Sequence, residues 1–546
     1  MENMHEYLII EGTVLKGIVK GSNPVSVVIP KGITEIGESA FDGCPALESI
    51  AIPASVTKIE PCTFYDWAFG GCRNFRTVQY EGTLEQWCEM ENDWSLMKNA
   101  EHVFLSDGTD IKALTELVIP EGVAKIESCA FRECKSLISI TIPESVTEIA
   151  GSFEGCINIK TVKCGHTLAQ WCEMKKGGYL MEYAESVLLG DGTDIKKMTE
   201  LVIPEGVAKI GDWALEECAA LTSVVIPESV TEISQWAFSE CKNLKTVQYG
   251  GTLAQWCEMK QSNDLMQSAE RVFLCDGTDI KDLTELVVPE GVAKIGRYAF
   301  SECVRLTSVV IHESVTEIGS WAFEGCKNLN TVQYGGTLAQ WCAMENDWCL
   351  MQNTEHMFLS DGTDIKALTK LVIPAGVAKI GENAFKCCAA LETVTIPEGV
   401  TEIGRKAFEN CTALKSVTIP KSVTKIYAQA FRGCTALTNV TAPENVTVIG
   451  YRAFGNCTAL ESVTIPKSVT QIGGIMPGDS ESPESGLSTL TRILENTKES
   501  GYLSFEECPK LKDVYYNGTK EQWRELMKHG SFESTVTVHC SDGDIV

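Results

Sequence analysis

Apolar positions recur along this chain with a step of 23 residues. One copy reads Cys411-Thr-Ala-Leu414-Lys-Ser-Val417-Thr-Ile419-Pro420-Lys-Ser-Val423-Thr-Lys-Ile426-Tyr-Ala-Gln-Ala430-Phe431-Arg-Gly-Cys434. Pro374, Pro397, Pro420, Pro443 and Pro466 keep the step, as do Phe385, Phe408, Phe431 and Phe454. Within a copy, Ser416-Val417-Thr418-Ile419 alternates polar and apolar and is rich in β-branched residues, which predicts a half-buried strand. Val417 and Ile419 are expected to face inward and Ser416 and Thr418 outward. Pro420, with no N–H to donate, ends the strand. Val423 and Ile426 make the return turn. Ala430-Phe431 then opens a short helical turn closed near Gly433, with Phe431 filling the space between the sheet and the back wall. No single copy can bury its own apolar side, so the copies must stack into a solenoid.

A second, longer period overlays the first. Trp87, Trp171, Trp256 and Trp341 lie 84, 85 and 85 residues apart, each in a module that follows two short copies. Thr252-Leu-Ala-Gln-Trp256-Cys-Glu-Met259 predicts a helix capped by Thr252, with Leu253, Trp256 and Cys257 on its inner side. The chain therefore divides into 1–111, opening on a strand at Tyr7 to Gly12, then 112–195, 196–280, 281–365 and 366–546. The last part holds clean 23-residue copies, an insertion at 473–501 and a fifth tryptophan module around Trp523. That insertion is rich in Gly, Pro and Ser, which predicts a surface loop with one short helix over Leu487 to Asn496. One copy carries His312 in place of proline, and another has extra residues between Ile59 and Cys72. Repeats run from end to end, and no segment is left for a separate catalytic domain.

Composition narrows the partners. A formal net charge of −28 over 546 residues repels phosphate backbones and anionic lipid, which argues against nucleic-acid and membrane-surface binding. No run reaches the roughly 18 apolar residues of a membrane helix. Met1 to Glu6 lacks the basic segment of an export leader, which points to the cytoplasm. Of the 24 cysteines, thirteen share one repeat slot: Cys44, Cys72, Cys134, Cys156, Cys218, Cys241, Cys303, Cys326, Cys388, Cys411, Cys434, Cys457 and Cys508. Stacking places neighbours about 4.8 Å apart, but with parallel Cβ vectors, which disfavours bridging. The expectation is a ladder of free, buried thiols. Cys88, Cys172, Cys257 and Cys342 each follow a repeated tryptophan, and without a Cys-x-x-Cys pair structural zinc has no support.

Candidate chemistry is sparse. The chain has no phosphate loop, no dinucleotide glycine fingerprint and no His-Glu-x-x-His helix. His5, His102, His166, His312, His356, His529 and His539 form no ligand spacing. Ser55 to Lys58 and Ser422 to Lys425 fit a Ser-x-x-Lys motif, but both are ordinary repeat text. Asp107/Asp110, Asp191/Asp194, Asp276/Asp279 and Asp361/Asp364 pair carboxylates in Asp-Gly-Thr-Asp, with Asp542/Asp544 a shortened version. Two carboxylates fall short of the roughly six to eight oxygens calcium takes, so these read as turns and not as cation sites. No catalytic, metal or cofactor residues are assigned. Trp87, Trp171, Trp256, Trp341 and Trp523 read as core ahead of interface anchors. The outward stripe of Thr393, Thr395, Ser416, Thr418, Asn439, Thr441, Ser462 and Thr464 is polar and nearly uncharged. It is either a solvated sheet surface or a flat platform for a protein partner.

The string Cys-x-x-Leu-x-x-Val-x-Ile-Pro-x-x-Val-x-x-Ile-x-x-x-Ala-Phe closely resembles the BspA-like, Treponema pallidum-type leucine-rich repeat. Tyr516-Asn-Gly-Thr-Lys-Glu-Gln-Trp523, with its ending around His539-Cys-Ser-Asp542-Gly, is similar to a module that accompanies such repeats. The resemblance implies a β-rich α+β repeat solenoid, a curved right-handed coil with a parallel sheet on its concave face. It also implies a non-catalytic scaffold for protein–protein binding, with adhesion to host or neighbouring-cell proteins and a place at the cell surface. The rival functions are an intracellular interaction module and, from another class, a cryptic enzyme, for which no motif is found.

Overall fold

The computed structural model describes residues 7–60, 72–92, 94–176, 179–346, 348–473, 504–527 and 536–545. The helix expected over Leu487 to Asn496 and most of the extra residues after Ile59 lie outside them. Contacts divide the chain into two compact units, 1–251 with 260–278, and 252–259 with 279–546.

The expected strands form, and within each sheet parallel pairing joins a strand to its equivalent in the next copy. Ser26–Val28, Ser49–Ile52, Thr77–Tyr80 and His102–Phe104 make one four-stranded sheet. The same order recurs in Glu116–Val118 to Ser186–Leu188, in Glu200–Val202 to Arg271–Phe273, and in Glu285–Val287 to His356–Phe358. Register is strict, as in Ser223↔Thr246, Val224↔Val247 and Val225↔Gln248. One-residue slips are blocked because they would turn the buried valines outward. At the start of the chain Leu8–Glu11 and Val14–Ile18 form an antiparallel hairpin, turned by Gly12 at φ +63°.

The return path differs from the expected simple turn. Ile426 belongs to a second parallel ladder of two-residue strands: Lys379–Ile380, Glu402–Ile403, Lys425–Ile426, Val448–Ile449 and Gln471–Ile472. The segment after it is not helical either. Gln429 and Gly433 both sit in the left-handed region, at φ +58° and +72°, which breaks any helix. Their conformation aims N–H groups at the next copy instead. Gln429 N–H donates to Tyr451 O at 2.8 Å, Phe431 N–H to Ala453 O at 2.8 Å, and Gly433 N–H to Gly455 O at 2.8 Å. Buried backbone donors must find partners, and here they find them between copies along the front sheet, the return strands and the back wall.

Side chains stack with the same regularity. Phe385, Phe408, Phe431, Phe454 and Phe505 form a ladder with centroids 5.3 to 5.6 Å apart and planes within 10° of parallel. Phe505 and Cys508 complete the last copy across the insertion. Phe454 N–H donates to Ser504 O at 2.9 Å, and the Cys508 thiol donates to Phe454 O at 3.1 Å. Three more slot cysteines of this block do the same: Cys411 to Phe385 O at 3.2 Å, Cys434 to Phe408 O at 3.3 Å, and Cys457 to Phe431 O at 3.3 Å. At Phe385, Phe408 and Phe431 the thiol adds a second donor to a carbonyl that already accepts a backbone N–H from the cysteine of its own copy.

The tryptophan modules fold as short helices. Thr252 accepts from Gln255 N–H at 3.3 Å, while Gln255 Oε1 accepts from Thr252 N–H at 2.9 Å. This reciprocal cap recurs at Thr83, Thr167, Thr337 and Thr519. Among the described residues no helix is long and apolar enough to cross a membrane.

Candidate protein-binding surface

The eight outward residues expected to form a platform do face away from the core. Thr395, Ser416, Thr418, Asn439 and Thr441 are exposed, and Thr393, Ser462 and Thr464 are half-buried. They are carried by two sheets. Thr393↔Ser416 and Thr395↔Thr418 pair in a three-stranded sheet, while Asn439↔Ser462 and Thr441↔Thr464 belong to a separate five-stranded one. No ladder joins Ser416–Thr418 to Asn439–Thr441. Val417 is correspondingly only half-buried, where the sequence pattern expects it inside.

The more distinctive outer surface lies on the long units. Val118, Val202, Val287 and Val372 occupy one outward position and are 56%, 63%, 56% and 66% exposed. Val202 and Val287 continue sideways into half-buried Val225 and Val310, then to exposed Gln248 and Gln333, and end at Phe273 and Phe358. Beside the valines run exposed Glu116, Glu200 and Glu285, and Arg271 lies 4.8 Å from the Phe273 ring centroid. Within each sheet such an apolar strip offers desolvation energy to a partner. The pattern hides this strip, because Glu200-Leu-Val-Ile-Pro204 reads as one buried apolar run. The signal lay in comparing copies: the short ones place Thr418 or Thr441 where the long ones place valine.

The remaining candidates are structural. Asp107 accepts Thr109 N–H at 2.9 Å, a bond that holds its carboxyl below the ordinary range. Asp110 accepts N–H bonds from Val103 and Lys112 at 3.1 Å each and contacts His102 Nδ1 at 2.7 Å. The second aspartate of each turn thus caps a short 3-10 turn, and the two carboxylates serve different backbone groups. In the terminal version Asp542 caps Lys520 N–H at 2.9 Å, while Asp544 contacts His539 Nδ1 at 2.9 Å. His539 also reaches Asp513 at 2.9 Å, and these bonds raise its pKa. Trp87, Trp171, Trp256 and Trp341 are fully buried, each donating Nε1–H at 2.8 Å to a carbonyl 43 residues on. Ser422 donates to Val400 O at 2.7 Å and so belongs to the stacking ladder. Burial pushes the thiols of Cys303 and Cys388 up to about 12, far from the thiolate that reactivity requires.

One repeated residue escaped the sequence reading. Lys112, Lys196, Lys281 and Lys366 each stand two residues after the second aspartate of the turn. Lys112 Nζ donates to Met97 O at 2.6 Å and Arg132 O at 2.9 Å, and Lys196 Nζ donates to Glu217 O at 3.0 Å. Burial outweighs the nearby anions and lowers the pKa of Lys112, Lys196 and Lys281. The recurrence of a charged residue at a fixed place beside an apolar Ile was the available signal.

Coils of fixed length, a parallel sheet along one side and a thiol and phenylalanine ladder inside define a leucine-rich-repeat protein. Residues 17–88, 109–173, 193–259, 278–343 and 363–476 match, in six copies, the family described as BspA type leucine rich repeat region, and the chain belongs to that family. Among solved structures, it is similar to a leucine rich cell surface protein from Faecalibacterium prausnitzii, at 19% identity over 95% of both chains, with a TM-score of 0.28. A leucine-rich repeat protein from Bacteroides ovatus is 20% identical over 98% of this chain and 97% of its own, with a TM-score of 0.23. The T. pallidum leucine rich repeat protein is 23% identical over 41% of this chain and 86% of its own, with a TM-score of 0.19. No curated protein is similar to the chain by sequence.

Proposed function

We propose that the chain is a non-catalytic scaffold that binds another protein across the outer face of its parallel sheets, in adhesion to host or neighbouring cells. The observation that carries this reading is the exposed valine that recurs at one outward position of the repeat, Val118 and Val202 in one compact unit and Val287 and Val372 in the other. An unpaired Val repeated at one outward position removes little from water within the chain and much within a complex. The polar residues Thr395, Ser416, Thr418, Asn439 and Thr441 extend the same outward position into the clean copies. Membership of the BspA-type repeat family supports a protein partner, and repeat arrays commonly bind through such extended surfaces.

The test is interferometry of the whole chain against immobilised host extracellular-matrix proteins and against a neighbouring cell's surface extract. V202R, V287R and T418R are expected to weaken binding at least tenfold without changing the melt. Binding that survives all three substitutions refutes the assignment of the face. Absence of binding to every matrix and surface protein refutes the adhesive role.

A further inference from the structure

The position just before the Ala-Phe or Ala-Leu step carries an aromatic residue in five copies, and the structure describes four of them. Trp213 and Trp236 occupy it in one long unit, Tyr298 and Trp321 in the next. All four are left-handed, with φ between +52° and +59°. Other copies share this conformation at the same position, as at Ser39, Lys406 and Gln429, so it belongs to the repeat and not to the rings. The backbone turn sets the paired rings face to face: 4.8 Å between Trp213 and Trp236, 5.4 Å between Tyr298 and Trp321.

The two pairs differ in what covers them. Arg297 places its guanidinium 4.9 Å from the Tyr298 centroid and 4.6 Å from that of Trp321. At the equivalent place the other unit has Asp212, which accepts Gln235 N–H at 3.1 Å. No cation lies over Trp213 or Trp236 among the described residues, and Trp236 is 41% exposed. These two rings wall a cavity of about 400 Å³ that Tyr179, Glu182 and Glu216 also line. Glu216 stands where the next unit has Ser301, and its Oε2 is buried without a hydrogen-bond partner among the described residues.

We propose that this cavity binds a guanidinium or alkylammonium group, held against Trp213 and Trp236 and neutralised by Glu182 and Glu216. The chain itself shows the interaction in the neighbouring unit, where its own arginine covers the aromatic pair. Here no cation of the described residues covers the rings, Lys196 being spent on the backbone carbonyls of Glu216 and Glu217, and two carboxylates line the cavity, so a cation over the rings comes from outside. Aromatic faces attract cations, most strongly where water is excluded, and a buried carboxylate atom without a donor supplies the charge and the hydrogen bond. Burial, reinforced by the Glu182 carboxylate and more weakly by Glu217 and Asp264 against Lys196, pushes Glu216 up to about 7. A bound cation opposes that shift, so binding releases a proton and tightens as pH rises through neutrality.

The probes are N-acetyl-arginine methylamide, N-acetyl-lysine methylamide, the neutral citrulline analogue, and a short peptide with one internal arginine. Saturation-transfer NMR detects contact with the intact chain, and calorimetry at pH 6 and pH 8 gives affinity and proton release. The cationic probes are expected to bind and the citrulline analogue to give no signal. Trp236→Ala and the near-isosteric Glu216→Gln each weaken binding about tenfold, and Glu216→Gln also abolishes proton release. Circular dichroism melts confirm that both variants remain folded. Tighter binding of the peptide than of the isolated arginine derivative identifies a protein side chain as the source, and equal affinities identify a free small cation. No saturable binding of any cationic probe by about 10 mM, equal binding of citrulline, or full binding by Glu216→Gln would overturn the proposal.

Discussion

Phe431→Ala tests whether the aromatic ladder couples one copy to the next. Phe431 is fully buried, with the rings of Phe408 and Phe454 at 5.3 and 5.4 Å on its two sides. Its backbone bonds, N–H to Ala453 O at 2.8 Å and O from the Cys457 thiol at 3.3 Å, do not depend on the side chain and remain. Those inter-copy bonds hold the flanking rings apart, so the space left by the phenyl cannot close. The cost therefore falls high in the range of about 3–5 kcal/mol known for buried phenylalanine truncation. Spread over coupled copies, that cost speeds amide exchange by about 140- to 3,700-fold across residues 393–472, at about 1.4 kcal/mol per tenfold. Hydrogen-exchange mass spectrometry of the intact chain reads this peptide by peptide. Acceleration below about tenfold would refute the cavity reasoning. Acceleration confined to residues 427–434 would refute coupling through the stack.

Ile403→Asp buries an unpaired carboxylate in the return-strand ladder and is expected to melt the clean block cooperatively, whereas exposed Thr418→Arg leaves the melt within about 0.5 kcal/mol. Equal effects in calorimetry would reverse the inward and outward assignment. Lys112→Met strips a donor from Met97 O and Arg132 O and is expected to cost about 1–3 kcal/mol at pH 7 in urea unfolding. Because burial lowers the folded Lys112 pKa below 10.5, wild type gains stability on the variant as pH climbs from that lowered value to 10.5. His539 has a raised pKa, from Asp513 first and then Asp544. Its stabilisation of the terminal strands is complete below about pH 6.5 and fades as pH rises through the raised value. Exchange of residues 536–545 tracks this, and His539→Gln removes it. Native-state alkylation mapped by mass spectrometry is expected to modify Cys275 first among the described cysteines, because it is exposed while slot thiols such as Cys411 are buried. Early labelling of Cys411 would break the thiol-ladder account.

The front strands, the phenylalanine and cysteine ladders and the capped tryptophan helices were legible because each rests on a local pattern repeated many times. Val417-Thr418-Ile419 announces its two faces by alternation, and Thr252 announces a cap by its place before Leu253. The return ladder was not legible because Lys425–Ile426 is two residues long, too short for any period to register. The back wall was misread as helical because Ala-Phe favours a helix locally, while bonding to the next copy overrides that preference. The outer valines, the buried lysines and the Trp213–Trp236 cavity were hidden for another reason. Each depends on how equivalent positions in different copies differ, and the dominant repeat draws attention to what they share.

The last copy closes across its insertion with no loss of register: Phe505 stacks 5.6 Å from Phe454 although 50 residues intervene. The extra residues before Cys72 enter at the same point of the coil, just after the return strand Lys58–Ile59. Position within the stack is thus dictated by the preceding turn and not by covalent continuity. Because each doubling of a loop's length adds only about 0.6 kcal/mol, this junction is a port at which whole domains can be spliced in. The array can then carry cargo on its flank while its own count of turns stays unchanged.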